Sequence, residues 1–203
     1  MKIVFTLIII CFIGSTPAIA KQSNSITYHE IVDEAVYNCP NASPDKIDRA
    51  ILWDLVEIER NAGVPEQMKG MLLAAACKES GYNPFARGDH KFSRSGKTPM
   101  AIGILQQWPW YETAYGADRQ DPKSAASTWM AHIKKMIPKV KRLCKYRTEK
   151  NIWIAAWVTG IRAPKDGGRC KERPTHYRLL KKWHKEIVKA KIRQTTQETI
   201  PGC

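Results

Sequence analysis

An all-α, mainly helical domain is what this sequence predicts, on three observations. Apolar residues return every three or four positions in several separate stretches. Helix start and stop residues bracket those stretches. No run alternates apolar and polar residues for long enough to make a convincing strand.

The elements follow in order. Met1-Lys2, the apolar run from Ile3 to Ile13 and Pro17-Ala18-Ile19-Ala20 form a charged start, a short hydrophobic segment and an A-x-A site. Residues 1–20 therefore read as a secretory signal peptide, with the mature chain starting at Lys21. The apolar run is too short to span a bilayer comfortably, and a retained anchor is the alternative. Residues 21–42 are expected to be an N-terminal arm. Ser43-Pro44-Asp45 reads as an N-cap with proline at the first helical position. Ile47, Ile51, Leu55 and Ile58 then repeat until Asn61-Ala62-Gly63 stops the helix. Pro65 opens the next helix, with Met68, Met71, Leu72 and Ala75 as its buried stripe and its end near Ser80-Gly81. The methionines read as core filler.

Tyr82 to Pro99 is polar and aperiodic, a long loop of the kind that is functional or disordered in compact domains. After the apolar stretch Ala101–Leu105 comes QQWPWY, where Pro109 is expected to end any helix. Asp121-Pro122 starts a helix carrying Ala126, Trp129, Ile133, Met136 and Val140, with Pro138 expected to kink or break it. Residues 149–160 make a compact apolar helix. A basic, glycine-containing loop leads to a last amphipathic helix from about Thr175, with Leu180, Trp183 and Ile187 on one side. The domain proper is expected to span 43–195, with 196–203 as a tail; it is long enough to hold a real core.

Charge and cysteines narrow the setting. Lys and Arg number 33 against 19 Asp and Glu, a formal net charge of +14. A basic surface of this size seeks a polyanion, or serves only as a solvated face. Outside a cell the polyanions are wall polymer, lipid headgroups or extracellular DNA, and no nucleic-acid partner is expected. Stable membrane insertion is not expected either, and the chain is read as a monomer. Cys39, Cys77, Cys144, Cys170 and Cys203 remain after residue 20. They can oxidise outside the cytoplasm, in at most two bridges within one chain, with connectivity that spacing does not reveal. Neither C-x-x-C nor H-x-x-x-H spacing occurs, so no metal or other cofactor is implied.

One stretch, CKESGYNPF at 77–85, ends an apolar helix with a charge. Glu79 either solubilises that end or is buried on purpose, since desolvation favours a protonated carboxyl and a protonated carboxyl is a general acid. E-S-G-Y-N-P at 79–84, G-I-L-Q at 103–106 and A-A-W-V-T-G at 155–160 occur in that order. Together they resemble the soluble lytic transglycosylase and goose-type lysozyme superfamily, whose pattern is E-S-x-x-N-P, then G-L-M-Q, then A-Y-N-A-G. The resemblance covers roughly residues 64–190 and implies a helical, lysozyme-like fold acting on peptidoglycan glycan strands in the periplasm or outside the cell.

The resemblance implies that Glu79 is the catalytic acid, that Ser80 helps orient the site, and that Asn83-Pro84 shapes the turn leaving the helix. It implies close backbone packing at Gly103 and a substrate-facing side chain at Gln106. Tyr177 matches a family tyrosine near the acid. Leu105 stands where the family has methionine, Trp157 where it has tyrosine and Val158 where it has asparagine. Trp157 stacks on a sugar face or packs in the core; Trp108 and Trp110 line the cleft or pack around the proline turn. The interval from Glu79 to Gly103 is longer than the usual transglycosylase spacing and carries Asp89. Asp89 is a turn former or the water-holding carboxylate that an inverting hydrolase needs. A lytic transglycosylase needs no second carboxylate, because the muramic acid C6 hydroxyl attacks from within the substrate. That favours the transglycosylase over the lysozyme-type hydrolase. A wall-binding protein without catalysis, and a basic antibacterial protein acting through its C-terminal helix, are the non-enzymatic readings.

Overall fold

A computed structural model describes residues 25–144, 148–159 and 175–198; the leader at 1–20, Gly160, the basic loop, Cys170, Cys203 and the Val158 side chain lie outside the described residues. The described chain is mainly helical, as its periodicity predicts, with seven α-helices and one two-stranded ladder.

The first helix, α1 (Tyr28–Asn38), lies inside the segment expected to be an arm. Thr27 and Glu30 form a reciprocal capping box: Glu30 N–H donates to Thr27 Oγ1 at 3.3 Å and Thr27 N–H to Glu30 Oε2 at 2.7 Å. Ile31, Val32, Ala35 and Val36 are buried on one face, so this helix belongs to the core. Ser43 and Pro44 open only a 3-10 turn, Pro44–Lys46, in which Ser43 makes no side-chain cap. Helix α2 (Arg49–Asn61) starts later, where the Asp48 carboxylate accepts the Ala50 N–H at 2.9 Å. Pro65 likewise precedes a 3-10 turn, Glu66–Met68, and α3 (Met71–Ser80) follows.

Helix α3 is the centre of the molecule. Every residue from Met71 to Cys77 is buried, with α1, α2 and the last helix packed around it. Its N-terminus is capped from outside by the fully buried Glu59 of α2, which accepts the Gly70 N–H at 2.5 Å and the Leu72 N–H at 2.8 Å. Tyr28 of α1 donates to the same carboxyl at 3.2 Å. Burial outweighs these hydrogen bonds and pushes Glu59 up to about 7. The C-terminus of α3 closes on Gly81 at φ 62°, where a Cβ would sit 2.1 Å from the Asn41 carbonyl oxygen. A Cys39–Cys77 disulfide ties the end of α1 to the last turn of α3. Cys144 is disulfide-bonded as well.

The long loop holds more order than its composition predicts. Strand β1 (Arg87–Gly88) pairs antiparallel with β2 (Ala101–Ile102), in the register Arg87 to Ile102 and Gly88 to Ala101. Between them lies a 3-10 turn, His90–Phe92. Pro109 begins a helix instead of ending one: α4 (Trp110–Tyr115) follows it directly, since a proline in a first turn forfeits no intrahelical bond. Helix α5 (Pro122–Cys144) runs through Pro138 unbroken. Lys134 and Pro138 are both exposed, so the carbonyl that loses its partner lies on the solvent side. Helix α6 (Glu149–Thr159) packs on α5, and α7 (Thr175–Glu198) packs on α3 and α1. Its Leu180, Trp183 and Ile187 are buried, as the amphipathic pattern predicts. No described helix is long and apolar enough to cross a membrane.

Candidate active site

Six segments meet the end of α3 and enclose with it a cavity of about 560 Å³. Ala75 and Glu79 come from α3, Leu105 to Trp108 from the turn after β2, and Trp110 and Tyr111 from α4. Trp129, His132 and Ile133 come from α5, Trp157 from α6 and His176 from α7; Asp89 stands at the loop side.

Glu79 reaches this cavity because α3 stops one residue later. Its side chain is 35% exposed, so of the two readings of a charge that ends an apolar helix, full burial is the one the structure does not show. The helix is buried through Cys77 and emerges over its last turn, which is what frees the carboxyl to face a ligand. Glu79 Oε1 lies 2.6 Å from His176 Nε2. The imidazole lies nearly parallel to the Trp157 indole, with centroids 5.6 Å apart and planes at 19°. Trp157 meets Trp129 edge-on at 5.9 Å and is buried, so it serves both core and cavity wall. Tyr111 stacks under Trp110 at 3.9 Å. Burial, then Tyr115 and the Glu79 carboxylate, push the Tyr111 phenol well above its usual range, which keeps it a neutral hydroxyl facing the cavity.

The turn after β2 is built around two backbone requirements. Gly103 sits at φ 79°, and a Cβ there would lie 1.7 Å from the Arg119 carbonyl oxygen. This is the close backbone packing that the motif resemblance implies. Gln106, at φ 47°, lines the cavity, but its amide nitrogen donates to the Ala86 and Gly103 carbonyls at 3.1 and 2.9 Å. It therefore staples the turn to the loop before β1, and only its remaining surface is open to a ligand. Arg119 adds a second staple, donating to the Met100 and Gln107 carbonyls at 3.1 and 2.9 Å.

The other expected residues divide. Ser80 does not line the cavity; its hydroxyl donates to the Ile104 carbonyl at 2.8 Å and to Ala76 at 3.2 Å, so it locks the turn onto α3. Tyr177 does not line it either. Successive helix residues point about 100° apart, and position 177 packs partly buried against the core while 176 faces Glu79. Asp89 does line the cavity, at φ 57°, and its Oδ2 accepts the Trp108 indole N–H at 3.0 Å. It forms a turn and anchors a tryptophan at once. Trp108 and Trp110 both line the cavity.

Among the lining residues that the motifs leave out are His176, Tyr111, Gln107 and His132. Tyr111 stood inside QQWPWY, whereas His176 carries no local signal beyond lying next to a matched tyrosine. No group of three or more His, Cys, Asp or Glu among the described residues is arranged to hold a metal ion. Neither protein-family models, nor curated proteins, nor solved structures provide a match to this chain.

Proposed function

We propose that this protein is a peptidoglycan-cleaving enzyme that breaks the β-1,4 bond between N-acetylmuramic acid and N-acetylglucosamine. The observation that carries the reading is a partly exposed carboxyl, Glu79, projecting into an aromatic-walled cavity of about 560 Å³. Cavities of roughly 300–1,000 Å³ take small ligands, and aromatic faces suit the apolar faces of sugar rings. The ordered motifs at 79–84, 103–106 and 155–160 resemble those of the transglycosylase and lysozyme superfamily, which implies the same substrate.

The favoured reaction is that of a lytic transglycosylase. Protonated Glu79 gives its proton to the bridging oxygen as the muramoyl C1–O bond breaks, and the bonding electrons leave with that oxygen. The C6 hydroxyl of the same muramoyl unit then bonds to C1 and returns its proton to the Glu79 carboxylate. The products are a free 4-hydroxyl and a 1,6-anhydromuramyl end, with no water consumed. Tethering of the nucleophile supplies the entropic advantage. The disulfides fit an oxidising compartment, the periplasm or the exterior.

Asp89 supports a second reading. It lines the same cavity, so a lysozyme-type hydrolase would use it to hold the attacking water. The transglycosylase is favoured because one Asp89 oxygen is already engaged by Trp108. Digestion of purified sacculi followed by mass spectrometry tests both. Anhydro products that vanish on Glu79→Gln are expected. Products heavier by one water would replace the transglycosylase with the hydrolase, and fragment release that survives Glu79→Gln would end the enzymatic reading of this site.

A further inference from the structure

His176 touches the proposed acid directly, and its surroundings hold it there. It stands in the first turn of α7, with its side chain 12% exposed and its ring laid against Trp157. Trp157 is in turn held edge-on by Trp129. The imidazole is thus ordered by two helices, α6 and α7, before any ligand arrives. Glu79 is not ordered in this way. It has three rotatable side-chain bonds, is a third exposed, and sits in the last turn of its helix. Its Oε1 lies 2.6 Å from His176 Nε2.

Toward an ionised Glu79 the donor is Nε2–H, because a carboxylate accepts and does not donate. The other nitrogen, Nδ1, is buried and has no hydrogen-bond partner among the described residues. A bare lone pair is tolerated there better than an orphaned buried N–H.

We propose that His176 is a positioning residue for Glu79: its Nε2–H holds Oε1, so that the proton given to and taken from the glycan travels through Oε2. The proposal rests on the reading of Glu79 as the acid. Oε2–H delivers its proton to the bridging oxygen as the C1–O bond breaks. Oε2 then receives the proton of the C6 hydroxyl as that oxygen bonds to C1. Between the two events Glu79 carries a full negative charge, and Nε2–H donates to it. A hydrogen bond to a charged acceptor is about twice as strong as one to a neutral acid. The contact therefore strengthens as the reaction proceeds, and its removal acts on turnover more than on binding.

Three substitutions test this on solubilised glycan strands. His176→Phe keeps a ring against Trp157 and removes the N–H; His176→Ala removes both; His176→Gln restores an amide N–H. Phe and Ala are expected to lower kcat by about ten- to a hundredfold with KM within about twofold. Gln is expected to recover part of that loss, and a thermal midpoint of the Phe variant near that of the unaltered protein shows that the fold persists. The inference falls if the Phe variant turns over normally, if the loss is in KM alone, or if Gln is no better than Phe. Glu79→Gln separates the two levels. If it stays active, the acid assignment falls and His176 with it; if it is inactive while the Phe variant is normal, only the role of His176 falls.

Discussion

Glu59 offers the most quantitative test of how this fold is held. It is fully buried, it caps the N-terminus of α3, and α3 carries Glu79 at its other end. Its pKa rises from 4.5 to about 7 on folding, through desolvation that outweighs the N–H bonds from Leu72 and Gly70. A carboxyl with a raised folded-state pKa binds its proton more tightly in the native state. Its contribution to stability is therefore full below about pH 4.5 and is lost as pH rises through about 7. Integrating between those two values, the native protein loses about 2–3 kcal/mol from this one group between pH 5 and pH 8. Glu59→Gln removes the titration and keeps one acceptor oxygen. It leaves an amide N–H facing a backbone N–H, which costs about 1–3 kcal/mol at every pH. Urea unfolding of both proteins at pH 5 and pH 8 measures the difference. The gap between parent and variant should be about 2–3 kcal/mol larger at pH 5 than at pH 8. Parallel curves, or a gap that widens toward alkaline pH, would refute the assignment of a protonatable carboxyl at this cap.

Asp89→Asn should leave anhydro-product formation within about threefold of the parent, because an amide oxygen still accepts from Trp108; a loss of a hundredfold or more would mark Asp89 as a general base. Gly103→Ala should destabilise by at least about 3 kcal/mol, seen as a lowered thermal midpoint, since left-handed strain adds to a 1.7 Å clash with the Arg119 backbone. Replacing Cys39 and Cys77 together by Ser should cost about 4 kcal/mol in denaturant unfolding, from the loop of 38 residues that the bridge closes; no change in midpoint would mean the bridge does not form.

Among the motif-matched residues, Glu79, Gln106 and Trp157 lie in the lining of one cavity, and Gly103 packs closely on the Arg119 backbone. Ser80 and Tyr177 lie outside that lining. Ser80 is adjacent to the acid in sequence, but its hydroxyl is taken by two carbonyls. Tyr177 is one residue away from the side chain that meets Glu79. A one-position offset leaves a pattern match intact and turns a helical side chain by about 100°.

Helix positions were legible because the signals are local. Capping residues act within one turn, and apolar stripes recur at i, i+3 and i+4, so the all-α class and the end of α3 at Ser80-Gly81 follow from neighbouring residues alone. Helix α1 lies in the segment, residues 21–42, expected to be an arm, although Thr27 and Glu30 carry its capping-box signal. What only the tertiary structure decided is non-local. The pairing of Cys39 with Cys77, the external capping of α3 by Glu59, the passage of α5 through Pro138 and the contact of His176 with Glu79, 97 residues apart, all depend on how the helices pack. The physical reason is that periodicity sets which face of a helix is buried, while the partner opposite that face is chosen by packing among segments with no sequence relation to one another.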